Sequence, residues 1–312
     1  MNASGPPDRV DVVVVGAGPA GLAAALGIAR GRRSVVVLDA ARPRNAATLS
    51  AHGFVSRDGI SPLELRRLGA RELAGYGVDV VRTRVTAVSP LERSEGVRRF
   101  EVQAEVRGAQ LESELVADAV VLATGLVEEL PALPTLRAFY GTSLHSCIEC
   151  DGWEKRDAPL ALIGESDDLA ERARYLANWS DDIVVFTNGR GFVSDADERE
   201  LATRGIRVER RVIADIAGTG REGMTGVVLD DGEVVPRTAG FVRPGWMPAL
   251  GFAEPLALAT TSEGWVATDA EGRTSVPGVY AAGDVALGPQ QLLVAAGDGA
   301  RVAGTVIRDT LR

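Results

Sequence analysis

Val10-Asp11-Val12-Val13-Val14-Val15-Gly16-Ala17-Gly18-Pro19-Ala20-Gly21 is the stretch on which the fold turns. A run with valine at five of six positions predicts a strand, and the glycines that follow at once predict a tight turn into a helix. Gly16 permits the turn, Gly18 lets backbone amides approach a pyrophosphate, and Gly21 lets the helix pack closely on the sheet; Pro19 and Ala20 complete the motif. By itself such a motif is unspecific. Here a second apolar run, Ser34-Val35-Val36-Val37-Leu38, ends in Asp39, at the spacing where an acid accepts hydrogen bonds from an adenosine ribose. Together the two runs predict a dinucleotide site. Val10 to Ala29 is also almost uncharged, as a membrane span would be, but three glycines and a proline in its middle fit a turn better than a bilayer helix.

The two cysteines of the 312 residues sit together as Cys147-Ile148-Glu149-Cys150, followed by Asp151-Gly152. A structural disulfide is seldom placed across two residues, because so small a loop removes little unfolded-state entropy. Redox exchange is the better reading: the pair can open and close without moving the backbone far, and a neighbouring acid can carry the proton that thiol exchange requires. The alternatives are half of a zinc site or two small buried side chains. Zinc would need two further ligands from only His52 and His145, so no metal is expected.

A length of 312 residues, 46% hydrophobic and 25% charged, fits an ordinary globular chain of about two domains. The formal charge of −9 argues against a nucleic-acid surface. The polar Met1-Asn2-Ala3-Ser4-Gly5-Pro6-Pro7 lacks a basic segment followed by an apolar core, so a secretory signal is not expected and a cytoplasmic location is. In that compartment an isolated cysteine pair reads as catalytic.

Glycine-punctuated apolar strands recur in two sets. After the first unit come a polar stretch from Ala41 to Ser61, a helix-like segment from Pro62 to Tyr76, and alternating stretches, Val78 to Val88 and Phe100 to Val106, that suggest antiparallel strands. Ala119-Val120-Val121-Leu122-Ala123-Thr124-Gly125 ends this part, and Leu130-Pro131-Ala132-Leu133-Pro134 reads as a junction. A second strand and turn begin at Leu160-Ala161-Leu162-Ile163-Gly164, with Ile183-Val184-Val185-Phe186 as partner strand. The chain returns at Val279-Tyr280-Ala281-Ala282-Gly283-Asp284-Val285 and a closing helix. The expected fold class is α/β: two Rossmann-like, three-layer domains, the second (127–245) inserted into the first (1–126 and 246–312).

The order GAGPAG, Ala123-Thr124-Gly125, CxxC-Asp-Gly, then Ala282-Gly283-Asp284 with Gln290-Gln291 and Ala296-Gly297-Asp298-Gly299 resembles the low-molecular-weight thioredoxin reductases over nearly the whole chain. That resemblance implies a homodimer with FAD in the first domain. It puts Gly16, Gly18, Pro19, Ala20, Gly21 and Asp39 at its ADP half, Asp284 at the ribityl chain, the backbone near Gln291 at the flavin ring, and Thr124, Gly125, Gly283 and Gln290 in the same set. It further implies that Cys150 lies against the flavin, that Cys147 meets the substrate and that Asp151 is the acid/base, with His145 as a second candidate two residues from Cys147.

Other roles compete for several of these positions. Thr124 and Gly125 could simply end a strand, and Asp284 could cap the last helix. A lone histidine is more often a packing residue than a catalyst, which applies to His52 and His145. Trp179, Trp246 and Trp265 read as core or interface, whereas Trp153 follows the redox motif closely enough to line its pocket.

The chain departs from the reductases at the second nucleotide loop, which is glycine-rich in that family and here reads Gly164-Glu165-Ser166-Asp167-Asp168-Leu169-Ala170. Glu165, Asp167 and Asp168 would repel a pyrophosphate. The basic cluster expected for a 2′-phosphate is replaced by Thr187-Asn188-Gly189-Arg190. Acids at a helix N-terminus suit its dipole, which explains their tolerance but not the missing glycines. In this respect the chain resembles another branch, the dithiol oxidases that close disulfides in natural products such as gliotoxin, holomycin and romidepsin. Pro43-Arg44-Asn45, His52-Gly53-Phe54 and Ser56-Arg57-Asp58-Gly59 also look like that branch, and Asn45 and His52 join the implied cofactor set. The expectation is an FAD enzyme oxidising a small-molecule dithiol, with O2 taking the electrons and no nucleic-acid or membrane partner; the alternative is an NADPH-dependent disulfide reductase.

Overall fold

The computed structural model describes residues 9–94, 97–106, 109–110 and 115–311. The polar segment Met1 to Pro7, read above for signals, lies outside them. The chain divides into two compact units. One comprises Met1–Ala46, Gly53–Val127 and Trp246–Arg312, the other Ala47–His52 and Glu128–Gly245.

In the first unit the valine run forms the strand Arg9–Val15 and the motif opens the helix Pro19–Arg30. The strand lies between Val35–Asp39 and Leu115–Leu122, parallel to both. Val80–Arg82 extends the parallel set beyond Val35–Asp39, and Val279–Ala281 joins the far end of Leu115–Leu122. Val12 and Val14 pack into one apolar cluster and Val13 and Val15 into the other, which is why the run shows no polar alternation. The closing helix Leu292–Asp309 packs on the same side as the first helix, Ala303 and Val306 joining Ala24 and Ile28 in one cluster.

Two features differ from the sequence reading. Val78 to Val88 is not one strand: Val80–Arg82 pairs parallel with Val35–Asp39, whereas Arg84–Ser94 pairs antiparallel with Val97–Val106. Both halves alternate apolar and polar residues, so periodicity could not show the change of partner at Thr83. The second is that Ala47–His52 belongs to the second unit rather than the first.

The second unit carries a parallel sheet in the order Arg207–Glu209, Ile183–Phe186, Leu160–Ile163, Ala239–Val242, Leu144–His145. Ile213–Thr219, Gly223–Leu229 and Val234–Pro236 form a separate antiparallel sheet. Leu160 and Leu162 face the cluster containing Leu169, Ala173 and Leu176, while Ala161 and Ile163 face the one containing Ile213 and Val227. Both units are therefore layered about a doubly buried parallel sheet. Among the described residues no helix is long and apolar enough to cross a membrane.

Candidate active site

Strands of the first unit end together at Val15, Asp39, Leu122 and Ala281, and a cleft opens beyond them, as expected at the carboxyl edge of a doubly wound sheet. It holds about 880 Å³ of space, partly open to solvent, and is lined by Gly16, Gly18, Pro19, Ala20, Asp39, Asn45, Thr124, Gly125, Asp284 and Gln290 among others. The glycines divide the work. A Cβ on Gly16, whose φ is +105°, would lie 2.4 Å from the Ala123 carbonyl oxygen, and one on Gly21 would lie 1.9 Å from that of Gly16. A Cβ on Gly18 would meet nothing within 4 Å. Gly16 and Gly21 are thus fixed by packing, whereas packing within the protein does not require glycine at Gly18.

Asp39 accepts hydrogen bonds from the backbone N–H of Ala17 and Ala41, each at 2.9 Å, and is ion-paired with Arg66. The expected ribose acceptor is thus already shared with a guanidinium from the helix Pro62–Ala74. Asp284 does not cap the last helix, which begins after Gln291. Its carboxylate is 2.7 Å from the Arg44 guanidinium, which stacks 5.0 Å over the Trp246 ring. Burial raises the Asp284 carboxyl above its usual range, and Arg44 offsets this only in part. Gly283 donates its N–H to Asp298 at 2.7 Å, so Asp298 holds the turn that presents Asp284.

The cleft fits a dinucleotide. Arg42, Arg44 and Arg66 line it together with the open face of Gly18, and the buried Thr124 hydroxyl has no hydrogen-bond partner among the described residues. Gly21, Gly283 and Gln291, expected in the same set, are not among its lining residues, although their chain neighbours Ala20, Ala282, Asp284, Gln290 and Leu292 are. His52 is not brought into this set. It belongs to the second unit, where its Nδ1 is 3.6 Å from Glu154 Oε1. The sequence reading missed Arg42 and Arg66 as lining residues. Arg42 could have been found from its place just after the acid-tipped strand, but nothing in the helix pattern distinguishes Arg66 from Arg67 or Arg71.

In the second unit the edge strand Leu144–His145 runs directly into the cysteine motif, where Cys147 and Cys150 are disulfide-bonded with Cα atoms 5.3 Å apart. Cys147 precedes a single helical turn, Ile148–Asp151, and its Sγ accepts the Cys150 N–H at 3.2 Å. His145 and Asp151 are brought together, Nδ1 to Oδ1 at 3.0 Å, while His145 Nε2 faces the Thr142 carbonyl oxygen at 2.9 Å. A carbonyl oxygen has no proton to give, so Nε2 donates to Thr142 and Nδ1 is the nitrogen that faces Asp151. Trp153 is 64% exposed, with the Arg156 guanidinium 4.1 Å over its ring. Among the described residues no His, Cys, Asp and Glu cluster is suited to a metal.

The second nucleotide loop is occupied by its own side chains. Glu165 accepts hydrogen bonds from Asn188 at 2.6 Å and Arg190 at 3.1 Å. Asp168 accepts the Ser166 hydroxyl and the Arg243 Nε at 2.8 Å. Burial pushes the Asp168 carboxyl up, but Ser166 and Arg243 outweigh it and hold the group below its ordinary value. Glu165 and Asp168 are therefore compensated internally, and Arg190 is engaged by Glu165.

Residues 10–299 match the family described as "Pyridine nucleotide-disulphide oxidoreductase". The crystal structure of HlmI is similar at 37% identity and a TM-score of 0.90, over 99% of this chain and 94% of that one. Thioredoxin reductase sirT of Leptosphaeria maculans is 29% identical over 309 residues, 94% of this chain and 92% of that protein. A "Probable thioredoxin reductase" of Arthroderma benhamiae is 32% identical over 186 residues, 59% of this chain but 45% of that longer protein. The disulfide pair, the glycine turn and these likenesses agree: the chain belongs to the pyridine nucleotide-disulphide oxidoreductase family and is a thioredoxin reductase-like thiol–disulfide oxidoreductase.

Proposed function

We propose that this protein is an FAD-dependent dithiol oxidase that closes a disulfide in a small-molecule dithiol and delivers the electrons to O2, giving hydrogen peroxide. The observation that carries this reading is Glu165 bound to Asn188 and Arg190: the second nucleotide loop spends its own polar groups on one another, beside an intact redox pair. The likeness to HlmI supports the same branch.

The Gly16 to Gly21 turn, Asp39, Arg44, Thr124 and Asp284 would hold FAD, which when bound supplies a two-electron acceptor. A substrate thiolate attacks Cys147 Sγ; the disulfide breaks and Cys150 leaves as thiolate. The second substrate thiol then attacks the substrate sulfur of the mixed disulfide and releases Cys147. Asp151 stands four residues after Cys147 on the same helical turn, and it takes the first thiol proton. His145, with Nε2 committed to Thr142, is the positioning residue that orients Asp151. The Cys150 N–H directed at Cys147 Sγ stabilises charge on that sulfur when it is released.

The second reading, an NADPH-dependent disulfide reductase, is favoured by the name of sirT. Anaerobic mixing separates the two. A dithiol should bleach the flavin absorbance rapidly, NADPH at millimolar concentration should do so far more slowly, and the aerobic dithiol reaction should release peroxide. Rapid stoichiometric flavin reduction by micromolar NADPH would return the chain to the reductases.

A further inference from the structure

Asp151 with His145 serves one side of the redox pair, yet closing a dithiol requires two proton transfers, one for each displacement. The residue inside the motif, Glu149, is exposed at the surface, with Oε2 3.8 Å from Cys147 Sγ in the disulfide form. The Tyr175 hydroxyl and the Arg172 guanidinium of the neighbouring helix Leu169–Leu176 interact with it electrostatically, Arg172 itself being anchored on the Ser146 carbonyl at 3.3 Å. Tyr175 and Arg172 stand three residues apart, one above the other on a single helix face. A carboxylate placed 3.8 Å from a redox sulfur would, with no proton to carry, only disfavour that sulfur's thiolate.

We propose that Glu149 is the second acid/base of this site, acting at Cys147 Sγ in the second displacement. The inference rests on the dithiol reading above. In that step the second substrate thiol gives its proton to the Glu149 carboxylate as its sulfur attacks the substrate sulfur bound to Cys147. The product S–S bond forms, the bond from substrate sulfur to Cys147 breaks, and its electron pair goes to Cys147 Sγ. Glu149 passes the proton to that sulfur, leaving a Cys147 thiol. Two electrons have moved from the substrate to the enzyme disulfide, and the carboxylate is regenerated. Arg172 and Tyr175 are positioning residues. The Cys150 N–H, at 3.2 Å from Cys147 Sγ, assists the departing sulfur.

The test follows the cysteines rather than the flavin. Anaerobic holoprotein is mixed with dithiothreitol, quenched in acid, alkylated, and resolved by mass into disulfide, mixed-disulfide and dithiol forms. In Glu149→Gln the first displacement should run at the wild-type rate or faster, because a negative charge has been removed from the path of a thiolate. The second should slow by about a hundredfold, so that the mixed disulfide on Cys147 accumulates. Glu149→Asp should restore part of the second rate, and Tyr175→Phe should cost less than Glu149→Gln. A second displacement at the wild-type rate in Glu149→Gln would overturn the proposal, as would equal slowing of both displacements in Glu149→Gln and Glu149→Asp. Because these rates are read at the cysteines, they stand apart from whether NADPH or a dithiol reduces the flavin.

Discussion

His145 Nδ1 lies 3.0 Å from Asp151 Oδ1 while His145 Nε2 faces the Thr142 carbonyl oxygen at 2.9 Å, and Lys155 Nζ donates to that same carbonyl at 2.7 Å. The imidazole is fixed at both ends, so it cannot swing toward the sulfurs without breaking a hydrogen bond. In the proposed mechanism the two residues act as one unit, with Asp151 as the member that exchanges protons.

Replacement of Asp151 by Asn keeps a side chain that can bond His145 but cannot exchange a proton at neutral pH. The dithiol-driven opening of the Cys147–Cys150 disulfide should fall by about 10²–10⁴-fold. His145→Gln, which can still donate to Thr142 and meet Asp151, should fall by roughly tenfold, because positioning rather than proton transfer is lost. Anaerobic single-turnover rates check both, and a larger loss in His145→Gln than in Asp151→Asn would reverse the assignment.

The glycine turn separates folding from binding. Gly21→Ala forces a Cβ to 1.9 Å from the Gly16 carbonyl oxygen, a backbone atom that cannot move aside, and should cost about 3 kcal/mol or more. Gly18→Ala places its methyl in open space and should change stability by less than about 1 kcal/mol while weakening cofactor retention. Urea unfolding paired with FAD titration distinguishes the two. Equal destabilisation would mean that Gly18 is also a packing residue.

These positions were legible in the sequence for a physical reason. A doubly buried parallel strand leaves an unbroken valine run, and the close approaches at Gly16 and Gly21 admit no other residue. Cys147, Cys150 and Asp151 were equally plain, since they are adjacent in the chain. What sequence concealed was long-range pairing. The ties of Arg44 to Asp284 and of Arg66 to Asp39 span 240 and 27 residues, and nothing local marks those arginines. Glu165 and Asp168 read as unpaired repulsion because Asn188 and Arg243 reach them from the loops that follow two other strands. The segment that carries His52, Ala47–His52, folds with the second unit, which no local pattern marks.

All the residues that line the cleft belong to the first unit, and both cysteines belong to the second. Cys147→Ser and Cys150→Ser proteins should therefore purify yellow, with FAD bound as in the wild type, while dithiol turnover is abolished. Visible absorbance relative to protein absorbance reports the first result, and oxygen consumption the second. A wild-type protein that stays colourless after incubation with FAD would sink the cofactor assignment itself.

Asp284 makes the stability of the cofactor-free protein depend on pH in a defined direction. Its folded carboxyl titrates above the ordinary value because it is buried, and Arg44 at 2.7 Å offsets only part of that cost. Between the unfolded pKa of about 3.9 and the raised folded value, the folded protein keeps a proton that the unfolded chain has lost. Unfolding there releases a proton, so stability falls as pH rises through the window; this contribution is complete below the unfolded pKa and gone above the folded one. Asp284→Asn removes the ionisation. Its melting temperature relative to wild type should therefore rise from about pH 4 toward neutrality and then level off. A difference that is flat with pH, or that falls, would mean that the Arg44 pair outweighs the burial of Asp284.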